Sequence, residues 1–185
     1  MMLRTVLVGV LLTAGAFCAE EKNPLGTKGT PDPRVDQGTL LSRAEVDAVL
    51  KALPPGSGTE QMLRMVDAGR LNVGLTIMRR EPKKQGAIEH DDLTEVYIIL
   101  SGSGTLVTGR NEEDPKPFAA DSNLVVNLTG PSKSGPSIIG GHAERFGPGD
   151  AIIIPAGVAH WFSQLDSQVN YLVVRIDPDK LLPRK

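Results

Sequence analysis

The chain has 185 residues, 40% of them hydrophobic and 4% aromatic, with 20 glycines and 14 prolines. That length suits one ordinary domain, and the abundance of turn formers favours a strand-rich body over a helical bundle. A formal net charge of −2 without any basic block leaves no electrostatic footprint for nucleic acid, so no nucleic-acid partner is expected.

The first residues read as a processing signal. Arg4 supplies a positive start, an apolar run follows over 6–17, and Ala16-Phe17-Cys18 fits the small-x-small pattern before a cut. Residues 1–18 are therefore expected to leave as a secretory signal peptide. The apolar run falls short of the ~20 residues a membrane span needs, so no span remains after cleavage. The expected location is secreted or periplasmic. The single cysteine, Cys18, leaves with the signal. A mature chain without a thiol has no disulfide, no thiolate ligand and no cysteine nucleophile.

Residues 19–41, rich in Pro, Gly, Lys and Asp, read as an arm or linker. In the segment 42–59, Ser42 with Glu45 forms a capping-box pattern. Val46, Val49, Leu50 and Leu53 follow at helical spacing until Pro54-Pro55 stops the helix. A short amphipathic helix of this kind is expected on the outside of a sheet.

From residue 60 to 178 the periodicity is that of strands. Strands are expected at 62–66, 71–78, 95–100, 105–108, 124–128, 137–139, 142–146, 151–154, 160–164 and 169–176, separated by Gly/Pro turns. Val73, Leu75 and Ile77 share one face of the second, and Arg79 follows them as either a solvated strand end or a contact for an anionic substrate. The stretch 111–136 is the longest irregular one, a candidate ligand loop. Residues 179–185 form a tail. No Gly-x-Ser-x-Gly elbow occurs, so a serine hydrolase has no support. Gly130-Pro131-Ser132-Lys133-Ser134-Gly135 has the wrong spacing for a phosphate loop. Asn127-Leu128-Thr129 is a glycosylation sequon.

Two stretches carry chemistry. In His90-Asp91-Asp92-Leu93-Thr94-Glu95-Val96-Tyr97, a histidine and three acids lead into an apolar run ending at Ser101-Gly102. In Gly149-Asp150-Ala151-Ile152-Ile153-Ile154-Pro155-Ala156-Gly157-Val158-Ala159-His160-Trp161-Phe162, a turn enters an apolar strand, a second turn reverses it, and His160 opens the next strand. Alternation puts His160 and Phe162 on one face and Trp161 on the other.

The second stretch resembles the second motif of the cupin superfamily, Gly-x5-Pro-x-Gly-x2-His-x3-Asn. Gly149, Pro155, Gly157 and His160 match, and Gln164 stands in place of Asn. The first resembles the first cupin motif, with Glu95, Gly102 and His90 in matching places. Ile88 replaces the first histidine and Pro82 the leading glycine. The resemblance covers about residues 61–176 and implies an all-β double-stranded β-helix, a cupin or jelly-roll barrel, with ligands pointing into its mouth. Carried over, the metal ligands are His90, Glu95 and His160, and the metal is a divalent ion such as Fe, Mn, Ni or Zn.

His90 and Glu95 would fall on opposite faces of one flat strand. They converge only if Asp91-Asp92 makes a turn or bulge; otherwise Asp91 becomes the substitute ligand. Tyr97 shares the face of Glu95, either as a catalytic acid or base or as a packed rim tyrosine. His142 lies in neither motif and is left out of the site. The resemblance implies a small-molecule partner, with dioxygenase, lyase or isomerase chemistry, or a non-catalytic binding module in the same cavity. Edge strands in this superfamily commonly pair, so a homodimer is the candidate assembly.

Overall fold

The structure, a computed structural model, describes residues 37–54 and 59–183. The expected signal peptide and most of the expected arm lie outside the described residues. No helix among the described residues is long and apolar enough to cross a membrane.

Ser42 caps helix α1 (Arg43–Ala52) as its sequence demands. Its hydroxyl accepts from the Glu45 amide at 3.2 Å, and the Glu45 carboxylate accepts from the Ser42 amide at 3.0 Å. The apolar stripe of α1 lies on a sheet's outer face, where Val46 and Leu53 meet Ile77 with Leu50 and Leu172 around them.

Eleven strands follow: β1 (Thr59–Asp67), β2 (Asn72–Arg80), β3 (Ala87–His90), β4 (Thr94–Ser101), β5 (Gly104–Gly109), β6 (Lys116–Pro117), β7 (Ser132–Gly135), β8 (His142–Phe146), β9 (Ala151–Ile154), β10 (Ala159–Leu165) and β11 (Val169–Asp177). They form a five-stranded sheet in the order β1-β2-β11-β4-β9 and a six-stranded sheet in the order β6-β7-β3-β10-β5-β8. Each strand pairing is antiparallel. The chain alternates between the sheets, β2 to β3 to β4 to β5 and again β9 to β10 to β11, which is the winding of a double-stranded β-helix. The all-β barrel with a short N-terminal helix is therefore present as expected.

The core between the sheets contains Met78, Tyr97, Ile99, Leu106, Phe146, Phe162, Tyr171 and Val173, all buried. Burying each large side chain of this kind contributes about 1.5–3 kcal/mol. Gly102 makes the tight turn between β4 and β5 at φ 83°, where a Cβ would stand 2.3 Å from the Gln168 carbonyl oxygen.

Three sequence expectations change. Residues 124–128 do not form a strand; 125–129 is a short wide helical turn (Val125–Thr129), entered by hydrogen bonds from the Val125 and Val126 amides to Ser122. Local β propensity loses there to a tertiary contact, because the Leu128 carbonyl accepts from Arg175 at 2.6 Å. The segment 137–139 makes only an isolated bridge, Ile138 to Glu112. Conversely, β3 and β7 are strands in stretches whose polar residues read as turns.

Candidate metal centre

The site lies between the two sheets, and its three residues come from three strands. His90 ends β3 in the six-stranded sheet, and Glu95 is near the start of β4 in the five-stranded one. The convergence required a break at Asp91-Asp92, and the break is larger than a bulge, since the chain changes sheets there. Asp91 is exposed and its amide donates to the Pro131 carbonyl at 3.0 Å, so it takes no part in the cluster. His160 sits on β10 opposite Ile88 of β3. The two motif stretches are tied by backbone, with the Gly157 amide donating to the His90 carbonyl at 2.8 Å.

His90, Glu95 and His160 are 4%, 1% and 4% exposed, and one ligand atom from each lies within 4.8 Å of the others. This His–Glu–His group can hold a metal ion. The imidazole rings stand 5.2 Å apart between centroids. Nε2 of His90 lies 3.5 Å from Glu95 Oε1, and Nε2 of His160 lies 3.5 Å from Glu95 Oε2.

The orientation of each ring is fixed from behind. His160 Nδ1 faces the Val158 carbonyl at 3.3 Å, an acceptor only, so Nδ1 carries the proton. Ser132 Oγ stands 2.9 Å from His90 Nδ1 and is itself held by the Gly130 carbonyl at 2.9 Å. Both Nε2 atoms thus face carboxylate oxygens. Burial, only partly offset by Glu95, lowers the His160 pKa to about 4, keeping that ring neutral at ordinary pH. Burial alone would raise the Glu95 pKa. The facing His90, Arg175 and His160 outweigh it and hold the carboxyl well below its usual range.

The resulting donor set is a carboxylate with an imidazole Nε2 facing each of its two oxygens. Glu95 Oε2 and His160 Nε2 are buried without a hydrogen-bond partner among the described residues. Such groups are costly unless paired. A divalent cation fits this arrangement, because it can take a ligand atom from all three residues at once.

Sequence reasoning missed what lies behind Glu95. Arg175 of β11, 2% exposed, donates from Nε to Glu95 Oε1 at 2.7 Å and also binds the Glu60 carboxylate. Two carboxylates thus share that one guanidinium. The signal was present: Tyr171, Val173 and Arg175 alternate onto one face of β11, and a basic residue on a core face requires a partner. Ser132 was missed because its stretch read as part of the irregular 111–136 segment, with the wrong spacing for a phosphate loop.

Tyr97 points inward as expected. Its ring centroid lies 5.8 Å from that of His160 and 4.8 Å from that of Tyr171. Burial pushes its pKa well above the usual phenol value, so the hydroxyl stays protonated. Arg79 is on the outer face, not at the site. It donates to the Leu50 carbonyl at 2.6 Å and the Leu53 carbonyl at 3.1 Å, satisfying the end of α1. His142 is exposed on edge strand β8. A larger cavity, about 260 Å³, is lined by Leu106, Arg145, Phe146 and Asp150 and includes none of the three candidate ligands.

No family model matches the chain, and no curated protein matches it. Similar solved structures include a protein from Bacillus halodurans, 14% identical over 83% of this chain and 90% of that one, with a TM-score of 0.47. A DMSP lyase from Ruegeria pomeroyi DSS-3 is 18% identical over 80% of this chain and 69% of that one, TM-score 0.46. A double-stranded β-helix protein from Klebsiella pneumoniae is 11% identical over 78% and 94%, TM-score 0.44. At these identities no residue role is carried from them to this chain.

Proposed function

We propose that this chain is a metal-binding cupin that acts on a small organic molecule, with His90, Glu95 and His160 as its metal ligands. The observation that carries this reading is the pair of buried, unpartnered atoms, Glu95 Oε2 and His160 Nε2, beside a second imidazole whose Nε2 faces the same carboxylate. A bound divalent metal supplies Lewis acidity toward a substrate oxygen, and an open coordination position where one is left.

The protein's own residues do the rest. Ser132 and the Val158 carbonyl fix the ring orientations from the far side, the arrangement that tunes and steers metal-binding histidines. Arg175 holds Glu95 Oε1 and leaves Oε2 directed at His160. Tyr97, kept protonated by burial, is placed to give a proton from its hydroxyl rather than to take one. The packed rings of Tyr97, Phe162 and Tyr171 keep bulk water from that side. Dioxygenase, lyase and isomerase chemistries all use such a centre, and the barrel does not choose among them. Action outside the cytoplasm, secreted or periplasmic, rests on the leader pattern in the sequence.

A second reading, a non-catalytic binding module, draws on Ile88. It occupies the place of a further histidine in the resembled motif and pairs with His160. Elemental analysis of purified protein and of His160→Ala tests the first reading. One equivalent of metal in the parent and near none in the variant is expected. Absence of metal in the parent after loading with Fe, Mn, Ni or Zn would move the assignment to the second.

A further inference from the structure

We propose that Arg80, Tyr97 and Tyr171 form a carboxylate-binding subsite beside the metal centre, so that the ligand of this barrel is a small organic acid. The inference rests on the metal-centre reading for its orientation and extends it to the class of ligand.

Arg80 is the last residue of β2 and lies on the opposite face from Arg79. Its neighbour is used up on the end of α1, whereas Arg80 turns into the barrel. Its Nε donates to the Tyr171 hydroxyl at 3.4 Å, a long contact with a neutral group. Among the described residues Arg80 takes part in no ion pair. The contrast is Arg175, the other inward guanidinium, which is held by both Glu95 and Glu60. A half-buried guanidinium with no carboxylate within ion-pair distance among the described residues is unusual, because such a charge is normally paired; Glu60 acts on it only from farther away.

Arg80 faces a cavity of about 30 Å³ that it lines together with Ile88, Tyr97, His160, Phe162 and Tyr171. By volume this is room for about two water-sized groups, the size of a carboxylate head. The chemistry matches. A planar guanidinium presents parallel N–H donors in the spacing of two carboxylate oxygens. Tyr97 and Tyr171 line the same cavity, and each phenol can add a hydrogen-bond donor. Phe162 and Ile88 provide apolar wall for a short carbon body. His160 belongs to both the cavity and the metal cluster. A carboxylate that sits on Arg80 therefore lies beside the metal centre.

The test is calorimetric titration of the full chain with glycolate, in metal-loaded and metal-stripped forms, with neutral ethylene glycol and inorganic phosphate as comparison ligands. Arg80→Gln and Arg80→Lys are titrated beside it, and metal content is measured in each sample. Glycolate is expected to bind the parent, ethylene glycol at least tenfold more weakly, and Arg80→Gln to lose tenfold or more in glycolate affinity at unchanged metal content. Arg80→Lys, which keeps the charge without the fork, is expected between the two. Equal affinity for glycol and glycolate, or no acid binding, overturns the subsite, and neither outcome needs a variant. Glycolate binding that ignores Arg80→Gln overturns it too, and phosphate binding tighter than glycolate overturns the carboxylate assignment. Arg80-dependent glycolate binding in a protein that takes up no metal leaves the subsite standing and removes the metal centre instead.

Discussion

Two parts of the molecule set a histidine beside a glutamate at almost the same distance. On edge strand β8, His142 Nε2 lies 3.3 Å from a Glu144 oxygen; in the barrel, His90 and His160 each lie 3.5 Å from Glu95. The side chains of His142 and Glu144 are 73% and 66% exposed, whereas Glu95 is 1% exposed. Separation therefore does not mark the site. On the surface, water satisfies each group and the pair contributes little. In the barrel the rings are pinned by Ser132 and Val158, and the carboxylate is pinned by Arg175, so the remaining lone pairs have nowhere to turn.

The comparison breaks most sharply at Glu95. Glu95→Ala is expected to abolish metal uptake and to take from Arg175 one of its two carboxylates, a loss of at most about 3–5 kcal/mol because Glu60 and the Leu128 carbonyl still hold the guanidinium. Elemental analysis and a urea melt read the two effects separately. Glu144→Ala, at the surface pair, is expected to change stability by no more than about 0.5 kcal/mol. Chelation comes next. Stripping a metal present at about a hundredfold over its dissociation constant removes about 2.7 kcal/mol, which lowers Tm by about 5–10 °C in a domain of this size. A scan with and without a chelator checks it.

Acid provides a third contrast. His160 is lowered to about 4 when folded, against about 6.5 when unfolded, so the unfolded chain binds more protons between those values. Stability of the metal-stripped protein should fall as pH drops from about 6.5 to about 4. Loss of the depressed Glu95 carboxylate acts in the same direction at still lower pH. Urea melts at several pH values follow this, and His160→Gln should flatten the upper part of the fall. Ser132→Ala sharpens the account on a smaller scale. It frees the His90 ring, with an expected 10–100-fold loss of metal affinity. The fold should lose only about 1 kcal/mol. His142→Ala is expected to change neither metal content nor, beyond about 0.5 kcal/mol, stability.

The sequence made the barrel legible where alternation and turn chemistry agree. β4, β5, β9, β10 and β11 lie where apolar runs are closed by Gly102, Gly149 and Gly157, which hold positive φ. It was silent where strands are short and polar. β3 and β7 are built from Ala-Ile-Glu-His and Ser-Lys-Ser-Gly, whose pairing with each other no local pattern announces. The inward face of β2 was also obscured. Val73, Leu75 and Ile77 look like the core face, yet Ile77 packs under α1, and the barrel side carries Met78 and Arg80. Both faces of that strand are covered, so hydrophobicity could not tell inside from outside. At the site, the three candidate ligands were readable because turns fix where the strand of His90 ends and where those of Glu95 and His160 begin. The residues behind them, Arg175, Glu60 and Ser132, come from strands far along the chain and meet only in the folded barrel.

The central claim is that two imidazoles and one carboxylate, brought together across the sheets, hold a single divalent cation. Anomalous diffraction from crystals grown with Co(II) or Mn(II) tests it most directly. The account predicts one strong peak within bonding distance of His90 Nε2, His160 Nε2 and a Glu95 oxygen. A lattice with no peak there, or with its strongest peak at His142 on the outer wall, would contradict it.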